Sequence, residues 1–86
     1  MTGAEAADIV YHLKHGRFRN LTYDRVEVTA DTNGFEVWAS YDGPKMVYQE
    51  VSGRQHRLRP GMLKIDSVAE WNAIVAILTK GINTEV

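Results

Sequence analysis

The arrangement in this sequence that could hold a metal ion is Asp8, His12 and His15. Spacings of four and three residues set the three side chains on one side of a helix, and a carboxylate with two imidazoles suits a divalent transition metal. A small metal-dependent enzyme centred there is one expectation. Against it, no fourth ligand and no supporting partner is visible in the sequence, and the same residues serve equally as the solvated face of an amphipathic helix. The solvated face is preferred, so no metal is expected.

Other routes to catalysis find less support. Ser40, Ser52 and Ser67 lie outside any glycine elbow, and Ser67 stands where a helix cap is needed. Gly34, Gly43, Gly53, Gly61 and Gly81 are isolated, so none builds a phosphate loop. The chain has no cysteine, which removes thiol nucleophiles, thiolate zinc sites and disulfides. Glu27, Glu36 and Glu50 have Arg25, Lys45 and Arg54 as available counter-charges on neighbouring strands. No catalytic residue and no cofactor is expected, and the chain reads as non-enzymatic.

Binding chemistry is better represented. The formal net charge is −1, from ten basic and eleven acidic residues, so the whole molecule exerts no general pull on polyanions. Two basic clusters nonetheless stand out: Lys14, His15, Arg17 and Arg19, then Arg54, His56, Arg57, Arg59 and Lys64. Merged into one patch beside Tyr48 or Trp38, they would give a nucleic-acid-binding module built on Lys14, Arg17, Arg19, Arg54, Arg57, Arg59 and Lys64.

The elements that must position these residues follow from periodicity. Ala6, Ile9, Val10 and Leu13 recur at helical spacing over Glu5 to Leu13, with Gly16 beyond. Val26, Val28 and Ala30 alternate with polar residues as a half-buried strand does. Asp31-Thr32-Asn33-Gly34 then reverses the chain into a second strand, Phe35 to Tyr41, which leaves Trp38 on the outer face. Asp42-Gly43-Pro44 makes another turn before a third strand from Lys45 to about Val51. Arg54 to Arg59 returns as a fourth strand, while Met62 to Ile65 either extends it or seats the chain against the core. Ser67 and Glu70 fit a capping box, Trp71, Ile74, Val75 and Leu78 mark the buried face of a last helix, and Gly81 closes it.

With 86 residues the chain supports one hydrophobic core, so residues 1–86 are expected to form one domain. The fold class is α+β: a three- to four-stranded antiparallel meander flanked by an N-terminal and a C-terminal helix, both on one sheet face. The order helix, three strands, helix resembles that of the double-stranded RNA-binding domain. That family opens its second helix with lysines aimed at phosphate, whereas this one opens Asp66-Ser67-Val68-Ala69-Glu70, so the resemblance ends at topology and no functional residue carries over. The longest apolar run, Ile74 to Leu78, is too short to span a membrane, and no leader is visible, so a cytoplasmic protein is expected.

The last helix supplies the leading functional expectation. Ala69, Ala73, Ala76 and Lys80, beside Asn72, form a smooth stripe that would let another helix approach, and an exposed Trp38 would add an aromatic anchor. The chain therefore reads first as a small interaction protein that docks a surface on another protein, including a second copy of itself. Phage-type inhibitors and accessory factors have this size and plainness.

Overall fold

The structure, a computed structural model, describes residues 1–80 together with Asn83 and Thr84. Helix α1 spans Gly3–Lys14 and begins with a full capping box. The Thr2 hydroxyl accepts from the Glu5 amide at 3.1 Å, and the Glu5 carboxylate accepts from the Thr2 amide at 2.8 Å. That hydrogen bond holds the Glu5 carboxyl below the usual carboxylate range. The cap starts the helix two residues before Glu5, ahead of the apolar periodicity, whose members Ala6, Ile9 and Leu13 are buried.

Strands β1 (Leu21–Asp31) and β2 (Gly34–Tyr41) form the expected hairpin. The Asn33 amide donates to the Asp31 carboxylate at 2.8 Å, and Gly34 takes φ +110°, open to glycine and strained for other residues. Strands β3 (Met46–Gln49) and β4 (Gln55–Leu58) form a second hairpin, closed by the Glu50 amide on the Arg54 carbonyl at 2.9 Å. Strand β5 (Gly61–Ile65) returns to β2, helix α2 spans Val68–Lys80, and a short β6 (Asn83–Thr84) lies beside β3.

The class is α+β with antiparallel strands between two helices. The strands do not run as one meander, however; they divide into a sheet ordered β1-β2-β5 and another ordered β4-β3-β6. The cause lies after β2. Pro44 has no amide to donate, and the Tyr41 hydroxyl donates to the Pro44 carbonyl while lying 3.4 Å from Met46 Sδ. The chain is thereby pinned out of the first sheet, and its edge of β2 is left for β5. Met62 to Ile65, for which the sequence left two readings open, is thus part of a strand of the first sheet.

Both helices share one core with the inward faces of the sheets. Val37, Ala39 and Tyr41 on β2, Ile65 on β5, Leu58 on β4, and Ile9, Leu13, Trp71, Ile74 and Ile77 on the helices make up its centre. Burial, with the nearby Asp42 charge, raises the Tyr41 phenol above its ordinary value. Ser67 caps α2 as expected, its hydroxyl accepting from the Glu70 amide at 3.1 Å. Gly81, expected to stop this helix, lies outside the described residues.

Candidate functional site

The three residues considered for a metal are not brought together. His12 Nε2 approaches Asp8 Oδ2 at 3.6 Å, but the His15 ring packs edge-on against Tyr11, centroids 4.0 Å apart. His12 also stacks over the Trp71 indole at 6.5 Å with 20° between planes, so it joins α1 to α2. Among the described residues no three His, Asp or Glu side chains converge in a ligand-like group.

The alanine stripe is also divided. Ala69 and Asn72 are exposed, Ala76 is half-buried, and Lys80 occupies the last position of α2. Ala73, expected on the free side of the helix, is only 7% exposed and therefore faces the interior. Helix α2 packs against β3, β4 and β5, so its buried surface is wider than the Trp71–Ile74–Leu78 line. Trp38, expected to be exposed, is half-buried, with the Lys64 ammonium 5.8 Å from its ring centroid. The Lys64 ammonium also pairs with Glu36 at 3.2 Å, and that hydrogen bond and charge raise the lysine above its ordinary value. Lys64 is therefore engaged within the sheet.

The basic clusters behave differently. Their relation is set by strand register, because Leu21 lies opposite Tyr41 and Tyr41 opposite Gly61. The starts of β1 and β5 are thus level at one end of the first sheet, two strand spacings or about 10 Å apart. Arg17 and Arg19 lead into β1 at that end, and Arg57 and Arg59 lead into β5. Lys14 and His15 join them at the C-terminal end of α1, where the helix dipole favours cations. Asp42 is an acidic residue at the same end, its amide donating to the Asn20 carbonyl at 3.1 Å.

The opposite end of the same sheet carries acids. Asp31 closes the β1–β2 turn, Asp66 follows β5, and the first turn of α1 contributes Glu5. A near-neutral chain is therefore polarised along the strands.

Beside Arg57 and Arg59 runs a cleft of about 290 Å³, lined by Pro60, Met62, Leu63 and Ile74, with Glu70 on its rim. Arg57 and Arg59 are exposed, and Met62 is 47% exposed at the mouth. Two exposed tyrosines flank the other cluster, with the Lys14 ammonium 6.0 Å from the Tyr23 ring centroid and Tyr11 against His15. Arg54 and His56 sit apart on the β3–β4 hairpin, where His56 Nε2 meets Glu50 Oε1 at 3.0 Å and helps hold the glutamate below the usual carboxylate range. Sequence reading missed the cleft and the two tyrosines. The signal available was the run Arg57-Leu58-Arg59-Pro60-Gly61-Met62, in which charges alternate with apolar residues at a bend.

No helix among the described residues is long and apolar enough to cross a membrane. No protein family, curated protein or solved structure gives a significant match to the chain.

Proposed function

We propose that this chain is a non-enzymatic interaction protein that docks an acidic segment of another protein at its arginine-rich end. The observation that carries the reading is the level placement of Leu21, Tyr41 and Gly61, which brings Arg17 and Arg19 to the same end of the sheet as Arg57 and Arg59. Exposed guanidinium groups recognise carboxylates in paired geometry, and the Pro60, Met62, Leu63 and Ile74 side of the cleft beside Arg57 and Arg59 gives an aliphatic or aromatic side chain of the same segment a place to be buried. In this role the chain acts in the cytoplasm as an accessory factor or inhibitor, by covering a surface its partner needs.

A second reading, single-stranded nucleic acid at the same end, is favoured by Tyr11 and Tyr23, which are 58% and 45% exposed beside cations and available for base stacking. The first is preferred because the acids at the far end of the sheet limit the cationic surface to a short patch.

Titration of the protein with a glutamate-rich peptide carrying one leucine, and in parallel with a single-stranded oligonucleotide, separates them. Tighter binding of the peptide, lost at least about tenfold in Arg57→Glu/Arg59→Glu, supports the first reading. Tighter binding of the oligonucleotide, with a steep salt slope and sensitivity to Tyr23→Ala, would replace it by the second. Failure of both probes to bind would sink both.

A further inference from the structure

We propose that Asn33 is a site of spontaneous covalent modification, converted through a cyclic imide to isoaspartate, and that the change unlatches the β1–β2 hairpin. The site lies at the acidic end of the sheet, and the inference does not depend on what the arginine-rich end binds.

Asn20, Asn72 and Asn83 precede Leu21, Ala73 and Thr84, whereas Asn33 precedes Gly34. The difference matters because the nucleophile is the backbone nitrogen of the following residue, which a Cβ crowds and glycine leaves open. Having lost its proton to solvent base, the Gly34 nitrogen attacks Asn33 Cγ, and the side-chain nitrogen leaves as ammonia. The five-membered imide then takes up one water. Addition at Cγ breaks the bond just formed and yields aspartate; addition at the main-chain carbonyl yields isoaspartate, whose backbone runs through the side-chain carbon. The sum is asparagine plus water giving isoaspartate plus ammonia, with no oxidant or cofactor.

The turn is open to these reactants and restrained in one respect. Thr32 and Asn33 are exposed, and a cleft of about 310 Å³ lined by Asp31, Asn33 and Gly34 opens beside them. Among the described residues no hydrogen bond holds the Asn33 side-chain amide; its backbone amide is the bonded group, donating to Asp31 Oδ1 at 2.8 Å. Gly34 stands opposite Asp31, so close to the Met1 segment that a Cβ there would lie 2.6 Å from the Met1 carbonyl oxygen. Ring closure swings the Gly34 nitrogen out of this arrangement. The reaction therefore runs from a locally opened turn, and the Asp31–Asn33 hydrogen bond limits how often the turn opens.

Once formed, isoaspartate adds a backbone carbon to a two-residue turn, so Asp31 and Gly34 no longer meet in register. It also places a new carboxylate two residues from Asp31, at an end that already carries Asp66. Phe35, the next residue, donates to the Met1 carbonyl at 2.8 Å and accepts from the Met1 amino group at 3.2 Å, so the displaced strand also strains the latch that seats α1.

The folded protein, held at mildly alkaline pH and sampled over days by peptide mass mapping, tests this. The Asn33 peptide should gain about one mass unit, with isoaspartate exceeding aspartate. Its conversion should be at least about tenfold faster than at Asn20 or Asn72. Asp31→Ala should speed it several-fold by freeing the turn. The isoaspartate form, separated by its added charge, should melt below Asn33→Asp, which carries the same charge on an ordinary backbone. An Asn33 that stays intact in the folded protein while the unfolded chain reacts overturns the proposal. So does aspartate without isoaspartate, an Asp31→Ala rate equal to the parent's, or an isoaspartate form as stable as Asn33→Asp. Should Asp31→Ala not fold, the parent's own conversion and the melting comparison still decide.

Discussion

Trp71 is where the two helices meet. Its indole lies under the His12 ring from α1 and takes the edge of Phe18 at 5.9 Å, and only 7% of the residue is exposed. Truncation to alanine should therefore cost about 3–5 kcal/mol, read as a large drop in melting temperature. Two alanines on the same helix separate interior from surface. Ala73→Arg should prevent folding, because it drives a long cation into the core, whereas Ala69→Arg should melt close to the parent, since Ala69 is exposed and arginine is a good helix former. Circular-dichroism melting of both variants checks the pair. Tyr41 adds a pH dependence. Its pKa is raised in the fold, so its contribution to stability is complete below the unfolded phenol value of about 10 and is lost as pH rises through the higher folded value. The raised Lys64 has the same sign, its contribution failing above the lysine range. The melting temperature should therefore fall more steeply above about pH 10 in the parent than in Tyr41→Phe, which has no phenol proton to lose.

At the scale of elements, the turn after β2 decides how the strands are shared between two sheets. Gly43 is packed so closely that a Cβ there would lie 2.6 Å from the Tyr41 hydroxyl and 2.8 Å from the Asn20 side chain. Gly43→Ala should thus cost about 1–3 kcal/mol and displace the Tyr41–Pro44 contact, which the near-ultraviolet tyrosine signal would register. The β1–β2 hairpin, the Ser67 cap and the buried Trp71–Ile74 face were all legible in the sequence, because each rests on local spacing or turn chemistry. The Thr2–Glu5 cap was equally local and was hidden only because the apolar periodicity begins later. The return of β5 to β2 was not legible. Nothing within Met62–Ile65 distinguishes continuing β4 from pairing across the molecule, since both require the same short apolar alternation. Burial of Ala73 was obscured for a related reason: helical spacing gives the centre of the buried arc, while its width depends on how many strands lie against the helix.

The polarity of the whole molecule is a property of register that composition cannot express. A net charge of −1 conceals cations gathered where β1 and β5 begin and acids where β1 and β5 end. The arginines involved are separated in sequence by most of the two hairpins, so their proximity became visible only once Leu21, Tyr41 and Gly61 were found level. This placement makes a kinetic prediction about charge position at constant charge. Arg17→Glu/Arg19→Glu and Arg57→Glu/Arg59→Glu change the same end from different parts of the chain, and each should slow association with a glutamate-rich peptide by about tenfold at low salt. A control of equal charge change, Arg25→Glu/Arg54→Glu, alters the β1 bulge and the β3–β4 hairpin instead and should slow it by less than about threefold. Raising the ionic strength to about 1 M shortens the screening length to about 3 Å, so the association rates of all three variants should converge on that of the parent protein. Stopped-flow measurement at the two salt concentrations reads both effects. Equal slowing by all three double variants would mean that only net charge matters, and the arginine-rich end would lose its standing as the docking surface.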